Sequence, residues 1–367
     1  MNKYALGLLV CVSSLFGLGV LMVFNTTSAE VLNRSLPYST HHALIKQIIY
    51  AFIGLMGATG IWIIGYKNVV KSIPVLFCVF IFLLLLVFIP GIGLQINGAH
   101  RWIGVKGLSF QPSEFAKYII PFYFIYELSK REYVCSFSDL VKILVKILIP
   151  LFLILVEPDN GTVALVLATL IVLLILTKVK WQYWIIPLFV VLLAGGLVAS
   201  RMEHVHDRIR IFLHPEDDLR GKGHQPYQAK IAAGSGGLMG KGLGQSLQKL
   251  DYLPEARSDY IAAIFAEEFG FIGMTAVIIL YMLITFFGFT IATQASTIEG
   301  AYIVSTCIFL LSIQAFLNLG VVCGLLPSKG TNLPFFSQGG SSLMVNLLAL
   351  SLVLNVSYLS DKAKNGI

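Results

Sequence analysis

The sequence predicts an all-α integral membrane protein, a single polytopic membrane domain over residues 1–367, and three observations carry that reading. The chain is 57% hydrophobic and only 12% charged, about half the charged share of a soluble domain. Its mean hydropathy is +0.82. Apolar runs of roughly the 20 residues that a spanning helix needs recur along the whole chain. They begin near Ala5, Gln47, Ile73, Phe115, Ile143, Thr162, Trp181, Tyr260, Ala301 and Leu343. The count is about ten transmembrane helices, the run near Thr162 being short.

The first run follows Met1-Asn2-Lys3 and ends near Ser28-Ala29. It is long for a signal-peptide core and many spans follow, so it is expected to stay as the first helix. Leu8-Leu9-Val10-Cys11 is no lipoprotein box, because Val10 is too bulky for the small residue needed there. Cys11, Cys78, Cys307 and Cys323 lie in apolar runs and Cys135 in a loop; no spacing suggests a disulfide framework or a metal site. Lys67, Lys71, Lys130, Arg131, Lys178, Lys180, Lys362 and Lys364 fall on one side. With Lys3 they place both termini in the cytoplasm by the positive-inside rule.

Polar mass collects on the opposite side. The insert 200–258, between helices seven and eight, is the one long extracytoplasmic loop. It holds Arg201, Arg208, Arg210, Arg220, Lys222, Lys230, Lys241, Lys249 and Arg257. That excess asks for an anionic partner, either lipid headgroups or a phosphate-bearing substrate. Its glycine run from Gly234 to Gly244 superficially suggests a phosphate-binding P-loop. The spacing fails, with Ser235 in place of the first glycine and Gly242 where Ser or Thr would bind magnesium. A flexible loop whose backbone approaches a ligand is the expected reading. His204, His206, His214 and His224 share the insert with Glu203 and Asp207, without metal-ligand spacing, and are read as solvated.

Four further patterns place charge at the outer boundary. Asp259 stands after Pro254 and Arg257, immediately before an apolar run. A carboxylate there is costly and is kept for chemistry, gating or a helix cap. In Gln111-Pro112-Ser113-Glu114-Phe115-Ala116-Lys117, Lys117 is either the i, i+3 partner of Glu114 or a phosphate contact. Glu157-Pro158-Asp159-Asn160-Gly161 suits a tight turn, yet carries two carboxylates. Glu267 and Glu268 lie two turns into the helix after Asp259 and cannot both face lipid; support of a site is favoured over direct chemistry.

These residues, with Asn97-Gly98-Ala99-His100-Arg101-Trp102-Ile103 and the stretch from Leu326 to Ser342, resemble the SEDS family (shape, elongation, division and sporulation) of polytopic peptidoglycan polymerases. The similarity covers nearly the whole length. Gln248 to Ala256 and Leu326-Pro327-Ser328-Lys329-Gly330 look like its division branch, whereas Ala266 before Glu267 looks like the elongation branch. Two positions depart from the family's pattern: Gln338 stands where a tyrosine is usual, and Glu157 where a glutamine is usual.

The resemblance implies polymerisation of lipid II, an undecaprenyl-pyrophosphate-linked disaccharide peptide, on the outer face of the bacterial plasma membrane. Asp259 would be the base for the acceptor's 4-hydroxyl, a role worth roughly 10²–10⁴-fold in rate. Burial would raise its basicity and Arg257 would moderate that rise. Attack from one face predicts inversion to a β-1,4 glycan. Arg101 and Lys117, with Lys329 in reserve, would meet the departing pyrophosphate. Ser337 and Gly339 belong to the substrate-binding motif, Asp159 to the substrate site and to a divalent cation, magnesium or manganese. Glu114, Arg257, Glu267 and Glu268 would support the site. No organic cofactor is expected. The implied partners are a single-pass class B penicillin-binding protein and other division proteins. A lipid II flippase would spread charge through the bilayer depth, whereas here it gathers on the outer side. A non-catalytic division scaffold would leave Asp259 replaceable.

Overall fold

The computed structural model describes residues 2–34, 41–96, 99–105, 108–133, 135–189, 193, 210–219, 221, 223–250, 253, 256–328 and 330–364. Its helices are α1 (Lys3–Arg34), α2 (His42–Ile64), α3 (Tyr66–Leu86), α4 (Pro112–Ser129), α5 (Phe137–Val156), α6 (Asn160–Leu176), α7 (His224–Ser235), α8 (Ile261–Thr293), α9 (Ile298–Val322) and α10 (Gly340–Lys364). Among the described residues 6 helices are long and apolar enough to cross a membrane: α1, α2, α3, α8, α9 and α10. α6 is apolar but shorter. α4 and α5 carry charges, Glu114, Lys117 and Glu127 in one and Asp139, Lys142 and Lys146 in the other. The run beginning at Trp181 opens with a 3-10 turn, Trp181–Tyr183, and is helical at 185–189.

α4 lies at the centre, packed against α3, α5, α6, α9 and α10, and is buried along most of its length. That position explains how it carries charged residues: they face protein rather than lipid. α1 packs along α8, and α2 along α10. Polar side chains tie the helices where lipid offers no competing partner. Asn355 of α10 closes the break between α2 and α3, accepting from Tyr66 N at 2.9 Å and donating to Trp62 O at 3.2 Å. Tyr118 of α4 donates to Asn346 of α10 at 2.9 Å.

One loop segment departs from an all-α reading. Within the loop from Gly91 to Ser113, β1 (Gly93–Ile96), β2 (Ala99–Val105) and β3 (Leu108–Phe110) form a three-stranded antiparallel sheet in the order β1-β2-β3. Tyr50 of α2 pins it: its hydroxyl donates to Ser109 O at 2.9 Å and accepts from Ser109 N at 2.8 Å.

The glycine run brings its backbone against another backbone. α8 breaks at Gly270, at φ 66° and ψ −163°, which leaves backbone groups of the helix unpaired. The loop supplies their partners. Lys241 N and Gly242 N donate to the carbonyls of Glu267 and Glu268 at 3.0 and 2.9 Å. Phe271 N and Ile272 N donate to Gly237 O and Leu238 O at 2.9 and 3.2 Å. Gly240, at φ +78°, lies directly on the Glu268 carbonyl, where a side chain has no room. Beyond Gly270 the rest of α8 is about 34 Å long, enough to span a bilayer alone.

Candidate active site

A polar cavity of about 560 Å³ opens where one end of each of α2, α4, α6 and α10 meets the segments 256–260 and 330–339. It brings together Asp259, Arg257, Asp159, Arg101, Glu114 and Gly339 of the residues singled out from sequence. The local chain explains the placement of each.

Asp259 is the penultimate residue before α8 and is partly exposed. Its carbonyl accepts from Asn318 Nδ2 at 2.8 Å, and Asn318 also donates to Thr331 O at 2.6 Å. One buried amide of α9 therefore fixes the approach to α8 and the segment that faces it. Arg257 is held from the other side, its carbonyl accepting from Gln338 N at 3.0 Å.

Asp159 caps α6, accepting from Thr162 N at 3.2 Å and Thr162 Oγ1 at 2.8 Å. It also accepts from Ser113 Oγ at 3.1 Å and Gln111 Nε2 at 3.3 Å. Its neighbour Glu157 lies in the turn between α5 and α6, outside both helices. That side chain is fully buried, and neither carboxylate oxygen has a hydrogen-bond partner among the described residues. Burial first and the Asp159 charge second push its pKa up to about 8, against the pull of Arg101. Arg101 spans the same turn, donating from Nε to Glu157 O at 2.9 Å and from Nη2 to Pro158 O.

Lys117 is placed differently from the expectation that it meets the leaving group. It is 1% exposed and does not line the cavity. Its ammonium donates to Glu114 Oε2 at 2.7 Å and to Gln314 Oε1 at 2.8 Å. Gln314 Nε2 in turn donates to Asn332 Oδ1 at 2.6 Å and to Asn332 O at 3.0 Å. Lys117 thus orients two wall residues, Glu114 and Asn332, the second through Gln314. Ser337 is likewise withdrawn: its hydroxyl accepts from Leu333 N at 2.8 Å, closing the turn before α10. Lys329, His204 and His206 lie outside the described residues. Among those that are described, no three His, Cys, Asp or Glu side chains converge; His214 pairs with Glu216 at 3.2 Å.

Glu267 and Glu268 point away from the cavity, into the loop 241–249. Glu267 accepts from Lys241 Nζ at 2.7 Å, from Ser246 Oγ, and from Leu247 N and Gln248 N at 3.3 Å each. Glu268 accepts from Lys249 Nζ at 2.7 Å and from Asn25 Nδ2 of α1 at 2.6 Å. The two carboxylates anchor the loop that clamps the break in α8.

Sequence reasoning missed the α2 wall. Lys46, Gln47 and Tyr50 line the cavity and share one helix face by their spacing. The signal was available, since Lys46 and Gln47 are polar positions at the edge of an apolar run. The second apolar run was read as starting at Gln47, with no role given to Lys46. A second, apolar groove of about 600 Å³ between α8 and α9, flanked by Met282, Phe286 and Phe316, shares no residue with the polar cavity.

Residues 6–362 match a family model described as a cell cycle protein and named for FtsW, RodA and SpoVE. A probable peptidoglycan glycosyltransferase FtsW of Trichlorobacter lovleyi is 36% identical over 372 residues, covering 97% of this chain and 93% of that protein. Stage V sporulation protein E of Bacillus subtilis is 38% identical over 319 residues, covering 86% and 87%. The crystal structure of the rod shape determining protein RodA of Thermus thermophilus superposes with a TM-score of 0.69 at 25% identity, covering 96% of each chain. A chain from the structure of a peptidoglycan synthase complex superposes with a TM-score of 0.78 at 24% identity, covering 98% and 99%. The chain belongs to the FtsW, RodA and SpoVE family of multi-pass membrane proteins.

Proposed function

We propose that this chain is a peptidoglycan glycosyltransferase that polymerises lipid II into β-1,4 glycan strands at the outer face of the bacterial plasma membrane, for septal synthesis in cell division. The observation that carries the reading is the joining of Asp259 with Arg257, Arg101 and Lys46 in one polar cavity. The names of its relatives support the activity.

The chemistry follows from that grouping. Asp259 takes the proton from the acceptor sugar's 4-hydroxyl as its oxygen attacks the donor's anomeric carbon. The bond from that carbon to the pyrophosphate breaks, and attack on the opposite face inverts the α-linked donor to a β-linkage. Such a base is worth roughly 10²–10⁴-fold. Negative charge grows on the departing pyrophosphate, and fixed cations lower the barrier there with little reorganisation. Arg101 and Lys46 supply that charge; Lys117 is committed to Glu114 and Gln314.

Among the described residues, no cluster of three carboxylate, thiol or imidazole side chains surrounds the proposed divalent cation. The Asp159 carboxylate already accepts four hydrogen bonds, and no acidic or histidine cluster joins it among the described residues. A magnesium or manganese ion would be held in part by Asp159 and would help neutralise the charge on the leaving group. Unchanged metal dependence in Asp159→Asn would remove that ligand too.

The reading carries a topology of about ten spans with both termini cytoplasmic and the loop 200–258 outside. It also carries a class B penicillin-binding partner that cross-links the product. Support for the partner is the likeness to a chain of a complex that coordinates polymerisation and crosslinking.

The test is to incubate the purified chain and its partner with labelled lipid II. Glycan ladders digested by a β-1,4-specific muramidase are expected. Movement of lipid II across vesicles without ladders would point to a flippase, and neither result would leave a scaffold.

A further inference from the structure

α8 changes character at its break. From Ile261 to Glu268 every residue is buried in protein. Just beyond Gly270, Phe271 is 65% exposed and Ile272 54%, and Ile279, Met282 and Phe286 continue that open apolar face. The lipid-facing surface of α8 therefore begins at Phe271. From there the helix is about 34 Å long against a hydrocarbon core of roughly 30 Å. Its start thus lies where acyl chains meet headgroups, on the side of the polar cavity.

Leu238 and Met239 stand at the same depth. The bonds from Phe271 N to Gly237 O and from Ile272 N to Leu238 O, at 2.9 and 3.2 Å, hold the tip of the glycine loop beside the first two residues of that face. Gly236 and Gly240 bracket the tip, each pressed on a carbonyl of α8, those of Ala266 and Glu268, with no room for a Cβ. Leu238 is nevertheless 70% exposed and Met239 78%. Two large apolar side chains project from a loop that is fastened on both sides. No charged residue occurs from Ile231 to Gly240. The first cation beyond the tip, Lys241, is paired with Glu267 at 2.7 Å.

The backbone of the loop suits the same surroundings. Non-helical chain at membrane depth persists only where its polar groups are satisfied without lipid. Here Gly240 N, Lys241 N and Gly242 N donate to the carbonyls of Gly236, Glu267 and Glu268. The amides of Ser246, Leu247 and Gln248 donate to the buried Glu267 and Glu268 carboxylates. Polar atoms turn inward to α8, and the apolar side chains of the tip turn outward.

We propose that Leu238 and Met239 insert among phospholipid acyl chains at the headgroup boundary, which makes the glycine loop a membrane-dipping anchor. The occupant is lipid because two backbone hydrogen bonds join the tip to a helix face that lipid already covers. This goes beyond the reaction in the cavity and does not depend on it.

The test uses the full chain in vesicles of phosphatidylcholine and phosphatidylglycerol, with Cys78, Cys135 and Cys323 replaced by serine. A fluorophore is attached through Met239→Cys or, separately, through Gln245→Cys, an exposed position farther along the loop from the spanning segment. Quenching by phosphatidylcholine with a shallow nitroxide is compared with quenching by aqueous iodide. At position 239 the lipid quencher is expected to exceed iodide by about threefold or more, and at 245 the order should reverse. Iodide quenching at 239 that equals or exceeds lipid quenching puts the tip in water and overturns the anchor. Protection from both quenchers places protein there and also overturns it, a second copy if the chain alone shows it and the penicillin-binding partner if only the mixture does. In the unaltered chain, hydroxyl-radical footprinting of the same vesicles should mark Met239 as weakly as Met282 on the lipid face of α8. Strong oxidation of Met239 beside a protected Met282 would contradict the insertion without any label.

Discussion

Replacing Gly240 by alanine tests the clamp that holds the break in α8. Gly240 sits at φ +78°, and an added Cβ would collide with the Glu268 carbonyl oxygen, a backbone atom that cannot swing aside. The left-handed conformation alone costs an alanine about 1 kcal/mol. Relief of the collision requires the loop to lift from α8. That breaks the hydrogen bonds from Lys241 N, Gly242 N, Phe271 N and Ile272 N, each worth about 0.5–1.5 kcal/mol net. The expected loss is about 3–7 kcal/mol. Thermal unfolding of the detergent-purified protein should show an apparent Tm lower by roughly 5–15 °C. Limited trypsin digestion should then cut at Lys249, which the native fold keeps buried against Glu268. Gly234→Ala is the control: Gly234 is helical with open space where the Cβ would sit, so that variant should hold or gain stability. A Tm for Gly240→Ala within about 1 °C of the native value, with Lys249 still protected, would refute the clamp.

Other predictions follow from the cavity wall. Glu157 has a folded pKa of about 8, well above the usual carboxylate value, so the folded state binds more protons than the unfolded state between about 4.5 and 8. Its contribution to stability therefore falls as pH rises through that window. Glu157→Gln should flatten the decline and raise the apparent Tm at pH 8 while leaving it nearly unchanged at pH 4.5; an unaltered pH profile would show the carboxyl is not buried. Lys117→Met leaves the Glu114 carboxylate without its ammonium and should cost about 3–5 kcal/mol, read as a lower Tm. Adding Glu114→Gln should recover part of that loss, and a purely additive double variant would deny the pairing.

The helices were legible because lipid forces apolar runs of spanning length, and nine of the ten run starts fall inside or at the edge of a described helix. The sheet in the loop before α4 was not legible. β2 spans Ala99–Val105 with no long alternation, and it is pinned from outside by Tyr50. The glycine run was readable as a place of close approach. Its target was hidden, because the partner is the break at Gly270 some 30 positions later. Lys117 shows a further limit. Its depth and need for an anion follow from the sequence, but whether Glu114 and Gln314 or a substrate supply the negative end depends on how α4 and α9 meet. Lys46 and Gln47 were visible as polar residues, yet only the packing of α2 on α10 turns them toward the cavity.

The central claim is that the Asp259 carboxylate does the proton transfer, and the rate of glycan formation from lipid II by Asp259→Ala, with its partner present and folding confirmed by an unchanged Tm, tests it most directly. Polymerisation is expected to fall by roughly 10²-fold or more while lipid II still binds. Polymerisation at the native rate by that variant would take the carboxylate out of the mechanism.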